Sequence, residues 1–249
     1  MAFILTLISG LSTLIGTIPI FIKFKDENKI INAALSFAAG VMLTVSIFDL
    51  IPESYTLLNH GFISVIMVLT SINIGIIISM IIDKFIPNND NLYRVGVISL
   101  IAIIMHNIPE GIATYLSSTH DIKLGLTLSI AIALHNIPEG ITISLPIYYS
   151  TKSKLKAISL TFISALSEIV GALLASIFLK DIITDTIMSL LLGIIAGIMI
   201  YISTYELLNE SLKYRNLKRT IISIIVALIN LTNLLCISQS FFSYKSCCS

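Results

Sequence analysis

Apolar residues in this chain fall in long unbroken runs, separated by short polar stretches such as KDENK at 25–29 and PNNDN at 87–91. A helix needs about 20 mostly apolar residues to cross the hydrocarbon core of a bilayer. Eight runs meet that length, at 3–22, 31–54, 62–83, 95–117, 124–148, 156–179, 184–208 and 219–241. The pattern predicts an all-α polytopic membrane protein with eight transmembrane helices. No linker could hold a separate soluble unit, so residues 1–249 are expected to form a single transmembrane domain. The first run resembles the apolar core of a signal peptide. However, Lys23, Lys25 and Lys29 follow it rather than precede it, and no small-residue cleavage site stands out, so it is expected to be a retained helix.

Composition agrees. Hydrophobic residues make up 56% of the chain and charged residues 12%, with a mean hydropathy of +0.98. Soluble domains are near one-quarter charged, and a water-facing exterior could not be built from so little polar surface. The net charge of +1 gives no footprint for nucleic acid. The partner expected from composition is a lipid bilayer.

The basic residues are unevenly placed. Connections after odd-numbered segments hold 12 of the 15 Lys and Arg residues, and the opposite side holds Lys123, Lys180 and Lys245. Cytoplasmic loops carry the excess of Lys and Arg. The odd connections are therefore expected in the cytoplasm and both termini outside the cell membrane.

The string HNIPEG occurs twice, at 106–111 and 135–140, in consecutive and hence antiparallel segments. A second echo joins AGVMLTVSIFDLIPES at 39–54 to AGIMIYISTYELLNES at 196–211, again in oppositely directed segments. Inverted repeats with a site at their interface are a transporter architecture. Both echoes fit a 3+2+3 arrangement, with segments 1–3 against 6–8 and segment 4 against 5.

Ionisable side chains at bilayer depth are costly and mark function. His106, Asn107 and Glu110 lie near the middle of segment 4, His135, Asn136 and Glu139 near the middle of segment 5, and Glu168 near the middle of segment 6. Residues three or four apart share a helix face. Glu110 can therefore serve one group with His106 and another with Asn107, and Glu139 has the same relation to His135 and Asn136. Three carboxylates held together repel one another unless a cation sits among them, so the constellation points to a divalent metal. Pro109 and Pro138 lack an N–H and free the carbonyls of Met105 and Leu134. Gly111 and Gly140 permit close helix approach. Asp49, Glu53, Glu206 and Glu210 stand toward segment ends, as pathway ligands or as interface markers. Met42 is a soft thioether inside segment 2, a candidate ligand or core filler. His60 and His120 are expected to be solvated. Cys236, Cys247 and Cys248 form no disulfide framework and read as incidental, with metal capture by the tail as the other option.

The two HNIPEG copies, together with SALSEIVGALLA at 164–175, AAGVM at 38–42 and AGIM at 196–199, resemble the ZIP (Zrt/Irt-like) metal transporters, with the closest likeness to the bacterial ZupT-type zinc-uptake proteins. The resemblance spans essentially the whole chain. It implies an eight-helix bundle with external termini, metal movement into the cytoplasm, a homodimer and an elevator-like motion. It also implies two adjacent metal sites. One would use His106, Glu110, His135 and Glu139, with Met42 as a possible extra ligand, and the other Asn107, Glu110, Asn136, Glu139 and Glu168. Many ZIP proteins carry a long His-rich loop between helices 3 and 4, and here that connection is short and has no His.

Two rival functions also use buried metal ligands. An intramembrane zinc hydrolase would need a His-Glu-x-x-His helix or an equivalent, and the chain has none, so it is not expected to be an enzyme or to hold a resident cofactor. A metal exporter would use the same ligands, and only the resemblance favours uptake. A mixed nitrogen and oxygen cage suits Zn²⁺, Fe²⁺ and Mn²⁺ alike, so the cargo is expected to be zinc together with iron, manganese and other divalent cations.

Overall fold

The computed structural model describes residues 1–58, 60–85, 91–179 and 184–243. Residues 87–90 of the connection after the third run, Lys180, Lys245, Cys247 and Cys248 lie outside the described residues. Eight helices follow the eight apolar runs: α1 (Ala2–Phe21), α2 (Glu27–Thr56), α3 (Phe62–Phe85), α4 (Asn91–His120), α5 (Ile122–Thr151), α6 (Lys154–Phe178), α7 (Asp185–Lys213) and α8 (Leu217–Ser243). Among the described residues, α1 to α7 are each long and apolar enough to cross a membrane. The polar connections start helices by capping. Asp26 accepts from the Lys29 amide, Asp121 from Lys123, Ser153 from Lys156 and Thr184 from Ile187, which satisfies donors that a helix start otherwise leaves unpaired.

The bundle is apolar outside, and its interior combines an apolar core with buried polar side chains. Large hydrophobic side chains such as Phe62, Ile66, Leu69 and Ile77 on α3 are exposed, while Ser9, Asn32, Thr44, Asn107 and Glu168 are fully buried beside core residues such as Leu35 and Ile103. An apolar surface of this kind fits a lipid exterior, and small and polar residues form helix–helix seams there.

The packing obeys the inverted repeat. Exchanging α1 with α6, α2 with α7, α3 with α8 and α4 with α5 carries one set of contacts onto another. The pairing of α3 with α7 maps onto α8 with α2, and α4 with α6 maps onto α5 with α1. The match extends to single residues. A Cβ on Gly111 would overlap the carbonyl oxygen of Glu168, and one on Gly140 would overlap that of Thr13. Likewise Gly171 abuts the Ile108 carbonyl and Gly16 that of Ile137. Away from this centre, Asn32 on α2 donates to Ser211 on α7 at 2.9 Å, and the mates Ser54 and Ser189 are joined at 2.6–3.3 Å.

The two motif prolines do not interrupt their helices. Helices α4 and α5 continue through Pro109 and Pro138 without a break. A proline removes one backbone bond, and the flanking turns are clamped by the close contacts of Gly111 and Gly140. Irregular turns occur instead at Thr13–Phe21 in α1, a 3₁₀ stretch that contains Pro19, and at Ser46–Leu50 in α2, Ala175–Leu179 in α6 and Ile202–Leu208 in α7, where wider π turns replace α turns. The α2 and α7 segments are mates in the repeat, and such bulges often accompany functional positions.

Candidate metal pathway

The two HNIPEG turns meet at the centre of the bundle, where α4 packs along α5. The Nε2 of His106 lies 2.9 Å from Glu110 Oε1 and 3.7 Å from Glu139 Oε1, and His135 Nε2 lies 2.7 Å from the same Glu110 oxygen. Ligand atoms of His106, His135 and Glu139 all fall within 4.8 Å of one another. In a tetrahedral zinc site with bonds near 2.0–2.1 Å, ligand atoms stand roughly 3.3 Å apart, so the observed separations bracket that edge. Glu110 belongs to the group by its contacts to both imidazoles.

The second group sits beside the first, against α1 and α6. The amide nitrogen of Asn107 donates to the Ser164 carbonyl at 3.3 Å, and that of Asn136 donates to the Ser9 carbonyl at 3.0 Å. These two bonds are repeat mates. Each spends the amide nitrogen on the neighbouring helix, and in both residues Oδ1 is left buried without a partner. Glu110 Oε2 and Glu139 Oε2 are also buried and without a hydrogen-bond partner among the described residues, as is Nδ1 of His106, whose Nε2 faces Glu110. An unsatisfied buried polar atom costs about 1–3 kcal/mol. A cluster of such atoms, acceptors apart from one imidazole, is what a bound cation would satisfy. Glu168, fully buried, takes a hydrogen bond from Asn136 Nδ2 at 3.0 Å and one from the Ser9 hydroxyl. All seven side chains singled out in the sequence are thus buried in one connected centre.

Four further carboxylates lie toward the two ends of the bundle and treat cations differently. Asp49, partly buried, stands within electrostatic range of His135, Glu110 and His106, and the exposed Glu53 within range of Asp49 and Glu110. Among the described residues, no ion pair involves either. Their repeat mates are occupied. Glu206 is held by Arg94 at 3.2 Å, and Arg94 also grips Asp83, while Glu210 is bonded by Lys213. Arg94, Tyr205, Glu206, Asn209, Glu210 and Lys213 line a cavity of about 160 Å³ there. One end of the bundle therefore holds carboxylates with no ion pair among the described residues, and the other has them bound by the protein's own cations.

The remaining sequence candidates are quickly placed. Met42 is 1% exposed within the apolar core. His60 is exposed and packs at a tilt against Tyr55, with ring centroids 5.1 Å apart. His120 is also exposed, but it ends α4 rather than sitting in a connection. Cys236 lies within α8.

Comparison with known proteins decides the family. A family model described as ZIP Zinc transporter matches residues 88–229. The chain is 36% identical over 233 residues to a protein named zinc transporter ZupT of Streptococcus mutans, covering 86% of this chain and 88% of that one. It is 38% identical over 240 residues to the zinc transporter ZupT of Chlorobaculum parvum, with 86% and 88% covered. The chain belongs to the ZIP zinc transporter family. Members of this family are transporters, not enzymes, consistent with the missing zinc-hydrolase motif.

Sequence reasoning passed over α1 of this ZIP protein, although a signal was present. ISGLSTLIG at 8–16 echoes ISALSEIVG at 163–171, with Ser9, Ser12 and Gly16 matching Ser164, Ser167 and Gly171. In that register Thr13 is the mate of Glu168. The small residues of α1 line the same centre from the opposite side, and because none of them is ionisable they carried no mark of function.

Proposed function

We propose that this chain moves zinc across a membrane into the cytoplasm, through two adjacent sites that share Glu110 and Glu139, and that it also accepts ferrous iron and manganese. The nitrogen-containing site comprises His106, His135, Glu110 and Glu139. The oxygen site comprises Asn107, Asn136, Glu110, Glu139 and Glu168. The observation that carries the reading is the buried cluster of His106, His135 and Glu139 within bonding reach of a single ion, next to unpartnered acceptor atoms of Asn107, Asn136, Glu110 and Glu139. Imidazole nitrogen suits zinc, and the neighbouring oxygen donors suit harder ions such as manganese. The free Asp49 and Glu53 attract the cation at one mouth. At the other, Arg94 and Lys213 hold the matching carboxylates until the bundle rearranges.

Direct support would come from cells expressing the chain, which should accumulate radiolabelled zinc faster than cells lacking it. Accelerated loss from zinc-loaded cells, without accelerated accumulation, would instead mean export.

The direction rests on topology, and the excess of Lys and Arg in the odd connections supports placing both termini outside the cytoplasm. A fluorescent protein that matures only in the cytoplasm, fused after Ser249, should be dark in an inserted fusion. A bright fusion of normal abundance would reverse the orientation. The single-domain and homodimer expectations belong to the same reading, and cross-linking in native membranes tests the second.

A further inference from the structure

We propose that Ser9, on α1, is the residue that positions Glu168 in the oxygen site, and through it sets how well that site holds hard cations. The proposal rests on reading the Asn107, Asn136 and Glu168 group as a metal site.

Ser9 is fully buried and makes two separate contacts with this group. Its backbone carbonyl receives the Asn136 amide at 3.0 Å, which turns that side chain. Its hydroxyl donates to Glu168 Oε1, while Asn136 Nδ2 donates to Glu168 Oε2 at 3.0 Å. Both carboxylate oxygens are thereby fixed, one from α1 and one from α5. The hydroxyl has a single proton and another possible acceptor, the Thr6 carbonyl at 3.0 Å. A bond to an anionic oxygen is the stronger of the two. Gly10, next in the chain, lets α1 approach this closely, because a Cβ there would lie 3.2 Å from Glu168 Oε2 and 2.8 Å from the Ala165 carbonyl.

The inverted repeat supplies an internal control. Ser164 is the mate of Ser9, and its carbonyl likewise receives the amide of the other motif asparagine, Asn107. Its hydroxyl, however, is buried and makes no hydrogen bond among the described residues. The difference follows from sequence, since Glu168 stands on α6 where Thr13 stands on α1. The asparagine anchor is thus a property of both halves, and the hydroxyl-to-carboxylate bond belongs to one. An outer partner of this kind orients a ligand and raises metal affinity, and its removal typically costs roughly 10- to 100-fold in that affinity.

Ser9→Ala isolates the hydroxyl, because the carbonyl that anchors Asn136 stays. Initial uptake rates of Zn²⁺ and Mn²⁺ into proteoliposomes would be measured for the full chain, Ser9→Ala, Glu168→Gln and the double variant. Ser9→Ala should raise KM for manganese by roughly 10-fold or more and change KM for zinc much less. It should add nothing in the Glu168→Gln background. Equal KM increases for both ions, or an undiminished effect on top of Glu168→Gln, would mean that Ser9 acts through packing and would overturn the proposal. So would a normal Ser9→Ala beside an impaired Glu168→Gln. Normal manganese uptake by Glu168→Gln itself would remove the oxygen site and the proposal with it.

Discussion

Glu139→Ala is expected to lower zinc uptake by on the order of 100-fold, equivalent to about 2.7 kcal/mol of lost cation stabilisation, while the protein still inserts. Two features of the structure lead to this magnitude. Glu139 is 1% exposed, and one of its oxygens approaches His106 at 3.7 Å while the other is buried without a partner. In the proposed sites it is shared, so its removal takes a negative charge from both. The fold should survive, because the carboxylate bridges no helices through a hydrogen bond and the close contact beside it is made by Gly140. Asn107→Ala should be milder, about tenfold or less, since a neutral ligand of one site is lost and Glu110 and Glu139 remain. Uptake of radiolabelled zinc, normalised to membrane abundance, checks both. Normal transport by Glu139→Ala would end the shared-ligand model.

His135→Ala and Glu168→Ala should move ion preference in opposite directions. His135 contacts Glu110 at 2.7 Å in the nitrogen-containing group, whereas Glu168 bonds Asn136 at 3.0 Å in the oxygen group. Loss of an imidazole removes a donor that zinc prefers, and loss of a carboxylate removes one that manganese and ferrous iron prefer. His135→Ala is expected to depress zinc transport relative to manganese by roughly tenfold, about 1.4 kcal/mol of differential stabilisation. Glu168→Ala should depress manganese and iron relative to zinc by a similar factor. Competition among the three ions in vesicles at fixed pH measures the ratio, the pH being held because protons compete for the same ligands. An equal loss for all three ions in both variants would show that the two groups act as one cage.

Much of this architecture is legible in the chain because a membrane constrains sequence strongly. Every backbone polar group inside the bilayer needs an internal partner, so an apolar run of sufficient length can hardly be anything but a helix, and the eight runs became eight helices. An ionisable residue in such a run is expensive, which is why His106, Glu110, His135, Glu139 and Glu168 stood out at once. The duplicated hexapeptide announced the two-fold relation between α4 and α5. None of this required coordinates.

Other features depended on which helix lies against which. Small residues carry no charge, so Ser9, Gly10 and Thr13 stood out only through a faint echo of 163–171, and their place around Glu168 appeared only when α1 was packed against α5 and α6. The different states of Asp49 and Glu206 were equally hidden. The two are matched in sequence, yet one has no ion pair among the described residues and the other is held by Arg94 from a different helix. The course of α4 and α5 through their prolines was decided in the same way, because the contacts of Gly111 with Glu168 and of Gly140 with Thr13 come from partner helices. Sequence by itself determined the helices, the repeat and which polar side chains stand within the apolar runs, because those follow from the cost of burying polar groups in lipid. Tertiary structure decided which atoms are satisfied and which remain open to a cation, because hydrogen bonds form between helices that are distant in the chain.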